Sequence, residues 1–360
     1  MPTGPHAPGF KRRLRSTLSW LHLWVGLTVG VVFALIGLSG SVLVFHTDLL
    51  RWQHPQLSAP APVADGRVLA RLFDRWTSQG LTGIDLPREQ LPVWQAYFAD
   101  GSRRYFAPDD GALLLARSEQ DDWLLWLHEL HTALLAGETG HELVGIVGWI
   151  ALFMLLTGLY LWWPKWRRML AHLRMYQGPP LRRWLTWHRA TGTITTPLLL
   201  LLTLTGVGMI YHDGARTLLT AMLGGDRAPT APARASRGLP PDWSQVLAHA
   251  QAALPGAQLT RIATLKPGDG VIGFRARAAG EWHPNGRSLV FVDAADAHVL
   301  LSHDATMQRP GAQLAEAIYP LHIGSVGGAA YKCAAALGGL LPTFLLVTGF
   351  LFWRRRRSHH

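Results

Sequence analysis

Six histidines stand at the ends of long apolar segments of this 360-residue sequence, and they occur twice over at three equivalent positions. They are His22 and His188, His46 and His212, and His131 and His322. The offset is 166 residues for the first two pairs and 191 for the third. Ionisable groups at membrane depth are costly unless they are paired or functional. Because neutral imidazole is a common ligand of haem iron and facing helices can present two of them, the repeated set predicts axial haem ligands.

The spacing within each half separates these histidines into an inner and an outer set. His22 precedes His46 by 24 residues, as His188 precedes His212, which is about 36 Å along a helix. The inner set is His22 and His188, and the outer set is His46, His131, His212 and His322. We expect one haem at the inner set and one or two at the outer set, where the pairing stays open. The sequence contains no Cys-x-x-Cys-His motif, so these two or three haem b groups would be non-covalent.

Other interpretations of the same histidines remain open. Histidines at a membrane interface can simply lie at the level of the lipid headgroups, as Trp and Tyr do. A zinc or copper site is a further interpretation, since His128 and His131 are three residues apart, although HELH lacks the spacing of zinc proteases. The repeat does not support His128 or His141, whose second-half equivalents are Tyr319 and Lys332. Five further histidines are expected at the surface of exported domains: His54, His249, His283, His298 and His303.

Four apolar segments supply the elements that must position these histidines. They cover residues 18–45, 143–163, 188–211 and 326–353. A helix needs about 20 apolar residues to cross the hydrocarbon core of a bilayer, so each segment is long enough. None of the segments contains Asp or Glu. The sequence therefore predicts four transmembrane helices.

The placement of charge predicts the orientation of these helices. The net charge is +11, and Lys and Arg cluster before the first segment, between the second and third, and after the fourth. Every Asp and Glu falls within residues 47–142 or 213–316. Because basic flanks are retained on the cytoplasmic side, both termini are predicted to be cytoplasmic, in a bacterial inner membrane. Basic residues at span ends, rather than on one folded domain, also argue against a nucleic-acid partner.

These features predict an integral membrane α-helical protein with four transmembrane helices in two parallel repeats, related by a pseudo-two-fold axis, and two small α+β periplasmic domains. Cytoplasmic segments are expected at 1–17, 164–187 and 354–360. Transmembrane segments are expected at 18–46, 128–163, 188–212 and 317–353, of which the second and fourth include a preceding periplasmic part. The periplasmic domains are expected at 47–127 and 213–316, each a helix, at 66–79 and 242–254, followed by short strands.

Several motifs together resemble those of a known family. They are LHLWVGL near the first span, LHTALLAGETGHELVG and LLTGLYLWWP around the second, WHRATG opening the third, and YPLHIGSVGG before the fourth. The sequence resembles the PepSY-associated transmembrane proteins, which include bacterial inner-membrane ferric-siderophore reductases. The resemblance implies PepSY-type folds for the exported domains, b-type haem in the membrane and electron delivery to a periplasmic ferric siderophore.

The function predicted from these features is a transmembrane haem reductase that releases Fe(II) from a periplasmic ferric siderophore. The sequence contains a Gly-x-Gly-x-x-Gly at residues 268–273, but it leads into an alternating, strand-like run and not into a helix, and no P-loop occurs, so no flavin or NAD site is expected in this chain. The electron donor would therefore be external, either quinol or a cytoplasmic reductase, and the other expected partner is membrane lipid. No catalytic residue is assigned. Two alternatives remain: a non-redox, membrane-anchored binding module, and a metal transporter lined by histidines.

Overall fold

The structure, a computed structural model, describes residues 9–58, 64–164, 166–238, 240–263 and 269–358. Parts of the predicted cytoplasmic and periplasmic segments therefore lie outside the described residues. The chain divides into two compact units. The helical unit comprises the described residues of Met1–Val44, His128–Tyr211 and Leu321–His360, and the sheet unit comprises those of Phe45–Leu127 and His212–Pro320.

Helices make up most of the chain. In order, they are α1 (Phe10–Leu43), α2 (His46–Gln53), α3 (Gly66–Trp76), α4 (Trp123–Ala133), α5 (Gly137–Trp162), α6 (Met169–His172), α7 (Pro180–Ile210), α8 (His212–Leu223), α9 (Trp243–Ala253), α10 (Pro310–His322) and α11 (Gly328–Arg357). Four of them, α1, α5, α7 and α11, are long and apolar enough to cross a membrane. The prediction of four such helices is confirmed.

The long helices extend beyond the apolar segments at their basic ends. Helix α1 begins at Phe10, and α7 begins at Pro180, whereas the sequence predicted spans beginning at residues 18 and 188. Lys and Arg favour helix as well as most apolar residues do, so the helix continues through the basic flank. Proline suits the first position of α7, where its missing N–H would have no intrahelical partner.

Close helix contacts hold the helical unit together. A Cβ atom added to Gly37 of α1 would lie 2.5 Å from the carbonyl oxygen of Gly339 in α11. Near the same crossing, the hydroxyl of Ser41 donates a hydrogen bond of 2.7 Å to the carbonyl oxygen of Ala336. Between α5 and α7, a Cβ atom on Gly148 would lie 2.5 Å from the side chain of Val207. Small residues at such crossings let helix backbones approach where lipid offers no hydrophobic driving force.

Two stretches of the chain, each between a pair of long helices, contribute strands to a single antiparallel sheet in the sheet unit. The strands are β1 (Leu81–Asp85), β2 (Trp94–Phe98), β3 (Arg103–Phe106), β4 (Leu113–Arg117), β5 (Gln258–Ala263), β6 (Val271–Arg277), β7 (Ser288–Asp293) and β8 (Val299–His303). Their order is β4-β3-β2-β1-β5-β6-β7-β8. The sequence predicted two separate domains, but β1 pairs with β5 and merges the two four-stranded halves. Pairing satisfies the backbone groups that each half would otherwise leave exposed at an edge.

Two helices cover one face of this sheet, and the sequence predicted helices at these positions, at 66–79 and 242–254. Asp65 caps α3 by accepting a hydrogen bond from the backbone N–H of Arg67, and Asp242 caps α9 in the same way. The rings of Phe73 and Trp243 stack between the helices with centroids 4.2 Å apart. Beneath them lie buried strand residues such as Ile262. The apolar core therefore lies between the sheet and α3 and α9.

Candidate functional site

The first histidine pair joins two of the long helices. His22 lies in α1 and His188 lies in α7, and their ring centroids are 6.3 Å apart with an interplanar angle of 87°. Both rings are partly buried. The sequence predicted that these two residues share a ligand, and the structure brings them together.

The second pair joins two short helices. His131 lies in α4 and His322 is the last residue of α10, and their ring centroids are 6.1 Å apart with an interplanar angle of 40°. The sequence left the pairing within the outer set open. The structure pairs these two residues, which are separated by the 191-residue offset of the repeat.

A hydroxyl group on a neighbouring helix lies beside the Nδ1 atom of each of the four rings. The Nδ1–Oγ distances are 3.1 Å for His22 and Thr157, 3.3 Å for His188 and Thr348, 3.1 Å for His131 and Ser39, and 3.2 Å for His322 and Thr205. Three of the Nδ1 atoms also lie at 2.9 to 3.0 Å from a backbone carbonyl oxygen: Leu345 for His188, Ile36 for His131 and Leu202 for His322.

These contacts determine which ring nitrogen carries the proton. Each of the four hydroxyls is within hydrogen-bond distance of carbonyl oxygens of its own helix, to which it donates. For His131, His188 and His322, Nδ1 must carry the proton because the neighbouring carbonyl oxygen can only accept. For His22, the Thr157 hydroxyl donates to the carbonyl oxygen of Phe153, which favours the same tautomer. With the proton on Nδ1, the lone pair of each neutral ring is on Nε2, where a metal ligand needs it.

A glycine follows each of these hydroxyl residues and makes room for the imidazole. A Cβ atom on Gly40 would lie 2.8 Å from Cε1 of His131, and one on Gly158 would lie 3.0 Å from Cε1 of His22. The corresponding distances are 3.0 Å for Gly206 and His322, and 3.4 Å for Gly349 and His188. At the shortest of these distances a side chain on the glycine would displace the ring. Each candidate ligand therefore packs on a dipeptide of Ser or Thr followed by Gly.

From the sequence, none of these dipeptides was identified as a partner of histidine. Thr157 and Thr348 lie in the repeated LLTG and LVTG motifs, and Ser39-Gly40 and Thr205-Gly206 form a second repeated pair. The signal was present, because these two dipeptides are separated by 166 residues, the offset that relates His22 to His188.

The spacing of both pairs fits two imidazoles on opposite sides of one metal ion. A metal–imidazole bond is about 2 Å long, so two trans ligands place their ring centroids about 6 Å apart. Among the described residues, no group of three or more His, Cys, Asp or Glu could hold a metal ion. Zinc and copper sites commonly require a third or fourth protein ligand, whereas a porphyrin supplies its own four nitrogens. The donor set therefore fits haem better than a bare ion.

The structure places the other two predicted ligands elsewhere. His46 and His212 are the first residues of α2 and α8, and both belong to the sheet unit. The side chain of His212 is 43% exposed, and its Nδ1 atom lies 3.6 Å from the carboxylate of Asp213. Neither histidine forms part of the two pairs, and their assignment as ligands stays a prediction.

One histidine that was expected at the surface is buried. His283 is 5% exposed, and its ring stacks on that of Tyr319 with centroids 4.8 Å apart. Its Nδ1 atom accepts a hydrogen bond of 3.1 Å from the backbone N–H of Asn285. The sequence prediction was wrong because periodicity in a loop gives no indication of burial.

Comparisons with known proteins agree with the architecture. A family model described as the PepSY-associated TM region matches residues 19–356, a range that includes most of α1 and α11, all of α5 and α7, and every residue of the sheet unit. No curated protein matches the chain.

Proposed function

The chain belongs to the PepSY-associated transmembrane family, and from that premise we propose that it is a haem-containing reductase of the bacterial inner membrane. Its substrate is ferric iron held in a periplasmic siderophore complex, which accepts one electron per iron and becomes Fe(II). Fe(II) binds hard oxygen ligands more weakly than Fe(III) does, so reduction releases the metal from its chelator.

The observation that carries this proposal is the geometry of the two histidine pairs. The two rings of each pair lie close together, with centroids 6.3 and 6.1 Å apart, and the Nδ1 contacts leave Nε2 available in all four rings, so each pair would hold one haem. When bound by these residues, haem would supply a one-electron carrier. The protein residues hold the rings, set their tautomers and keep side chains out of the ligand space.

The charges and lengths of the spans support the rest of the proposal. Arg354 to Arg357 end α11, and basic residues also begin α1, which favours a cytoplasmic location for both ends. His22 and His188 then lie near the cytoplasm, and His131 and His322 lie near the periplasm. The electron donor is external, either quinol or a cytoplasmic reductase.

An absorbance spectrum of the detergent-purified protein, recorded before and after addition of dithionite, tests this proposal. We expect a Soret band that shifts on reduction, and about half of the haem in a His131→Ala/His322→Ala double variant. The matched control is His172→Ala, which removes an exposed histidine of α6 and should retain all of the haem.

A second assay tests the substrate. The reduced protein is mixed with a ferric siderophore and a chelator that becomes coloured on binding Fe(II). The His131→Ala/His322→Ala variant should form less of the coloured Fe(II) complex than the wild type does. A colourless but folded protein from haem-replete cells would overturn the reductase proposal and favour a membrane-anchored binding module.

A further inference from the structure

The face of the sheet opposite α3 and α9 carries an unusual group of arginines. Strand residues alternate between the two faces, and the side that faces away from α3 and α9 bears Arg103 of β3, Arg261 of β5 and Arg275 of β6. Two more arginines from adjoining loops, Arg88 and Arg287, contact carboxylates of the same region. We call these five residues the arginine cluster.

Two carboxylates neutralise part of this cluster. Asp85 accepts hydrogen bonds of 2.5 and 3.3 Å from Arg261 and lies 3.5 Å from Arg88. Its other contact is a hydrogen bond of 2.9 Å from the hydroxyl of Tyr97. Glu316 of α10 forms ion pairs with both Arg216 and Arg287. Each carboxylate therefore serves two guanidinium groups, which leaves the region with excess positive charge.

In the described part of the chain, neither carboxylate forms an ion pair with Arg103 or with Arg275, although the charges of both carboxylates act on Arg275 from a longer distance. Within the part of the chain that the structure describes, the guanidinium of Arg275 has neither an ion pair nor a hydrogen bond, although the residue is only partly exposed. Burial, followed by the charges of Arg287 and Arg261, lowers the pKa of the Arg275 guanidinium. An anion beside Arg275 would relieve this repulsion.

A cavity adjoins this unpaired charge. It has a volume of about 330 Å³, and Tyr97, Arg261 and Arg275 supply its polar lining. Gly83 and Gly273 line it without side chains, and Phe291 adds an apolar wall. Small-molecule sites usually combine such apolar walls with a few convergent polar groups in volumes of about 300 to 1,000 Å³.

The arginines also act on the buried His283. Burial and then the charges of Arg287, Arg275, Arg261 and Arg88 lower the pKa of His283 to about 3. The imidazole is therefore neutral at physiological pH. The same field that disfavours a proton on His283 favours a negatively charged ligand nearby.

We propose that this cavity binds a soluble ligand bearing several carboxylates, with Arg275 and Arg261 as its charged contacts. Guanidinium matches carboxylate in shape and can donate two parallel hydrogen bonds to it. In this reductase the ligand is a ferric complex of polycarboxylate type. That identification rests on the proposed function, whereas the anion site rests on the arginine cluster alone.

Calorimetric titration of the full-length protein in detergent tests the site. The probes are ferric citrate, iron-free citrate and a positively charged ferric trihydroxamate of similar size. We expect the two citrate probes to bind and the cationic chelate to bind at least about tenfold more weakly, with citrate affinity falling as salt is raised. Arg275→Gln should weaken citrate binding about tenfold or more, because it removes a charge-assisted contact without leaving a carboxylate unpaired.

The matched control is Arg104→Gln, on the opposite face of β3, where the guanidinium lies over the rings of Trp76 and Phe98. It should leave citrate affinity unchanged. Equal binding by Arg275→Gln and the wild type, or displacement of citrate by phosphatidylglycerol vesicles, would overturn the proposal. The haem spectrum of each sample separates the anion site from the proposed reductase function. A protein with an intact Soret band that does not bind citrate would refute only the anion site. A colourless protein that binds citrate would refute only the reductase.

Discussion

The two histidine pairs are built from different kinds of helix. His22 and His188 belong to α1 and α7, which are long enough to cross a membrane. His131 and His322 belong to the short helices α4 and α10, and a turn follows each before the next long helix begins. The hydroxyl partners of the first pair lie on α5 and α11, and those of the second pair lie on α1 and α7. Helices α1 and α7 thus carry one pair and position the other.

The turns that support the second pair differ in their strain. After α4, Leu134 and Leu135 have φ angles of 49° and 60°, although neither is glycine. After α10, glycines occupy the left-handed positions, with φ angles of 72° at Gly324 and 69° at Gly327. A left-handed conformation costs a residue with a side chain roughly 1 kcal/mol or more. The second pair therefore depends on local backbone conformation in a way that the first pair does not.

Replacing one histidine at a time should have the largest effect on haem content and should distinguish the two sites. We expect His188→Ala and His322→Ala each to lose about one of two haems, because each removes one axial ligand from one pair. The ring planes differ by 87° in the first pair and 40° in the second, so the more anisotropic low-spin ferric EPR signal should belong to His22 and His188. Loss of the same signal in both variants would contradict two separate sites.

Steric variants of the glycines should reproduce the loss of one haem without touching a ligand. A side chain at Gly40 must displace His131, since even a Cβ atom would lie 2.8 Å from its ring. We expect Gly40→Val to remove about one haem of two, measured by the Soret band per protein. The control is Gly349→Ala, whose Cβ atom would lie 3.4 Å from His188 and should be tolerated. Full haem content in Gly40→Val would contradict the position of the His131 ring beside Gly40.

Removing one hydroxyl should shift a redox potential rather than haem content. In the described residues, the Nδ1 atom of His22 has Thr157 as its hydrogen-bond partner, whereas that of His188 also contacts the carbonyl oxygen of Leu345. Hydrogen bonding from Nδ1 makes imidazole a stronger donor and favours ferric iron. We expect Thr157→Val to raise the midpoint potential of the first site by about 20 to 60 mV, since one hydrogen bond is worth about 0.5 to 1.5 kcal/mol.

Thr348→Val is the matched control for this measurement, because a carbonyl acceptor remains for His188. It should shift the potential less than Thr157→Val does. Equal shifts in a spectroelectrochemical titration would show that the carbonyl contact makes no difference.

The smallest expected effect concerns the turn after α4. Leu135→Gly should raise the free energy of unfolding by up to about 1 kcal/mol, because glycine adopts a positive φ without steric cost. Leu143→Gly is the control: Leu135 and Leu143 are both 45% exposed, but Leu143 lies inside α5, where glycine should destabilise by about 1 kcal/mol. Destabilisation of similar size in both variants would refute strain at Leu135. Denaturant titration in detergent measures the difference.

The sequence was sufficient for features that repeat or that depend on composition. Apolar segments predicted the four long helices, and the 166-residue offset singled out His22 and His188. The pairing of His131 with His322 was left open, because equivalent positions along helices do not determine which side chains face each other. The same limitation hid the role of Ser39-Gly40, which becomes apparent only when α1 is packed against α4.

The single sheet was harder to predict for a different reason. Each of the two stretches contains four strands preceded by a covering helix, α3 or α9, which fits a complete small domain. Whether two such sheets stay separate depends on edge pairing between residues far apart in sequence, such as Ile84 and Ile262. Likewise, the arginine cluster combines residues of β3, β5, β6 and two loops, which are far apart in the sequence. No local sequence motif therefore indicates it.

The pairing of β1 with β5 also has a consequence during synthesis of the chain. Strand β1 ends at Asp85 and β5 begins at Gln258, so the ribosome must add about 170 residues, including two long helices, before the partner strand exists. At roughly 5 to 20 residues per second, this takes on the order of ten seconds or more. Throughout that interval the first half of the sheet presents an open edge, which could pair with another chain. Strand β1 limits that risk because it is short, has an irregular register between Leu81 and Gly83, and ends in a charged residue.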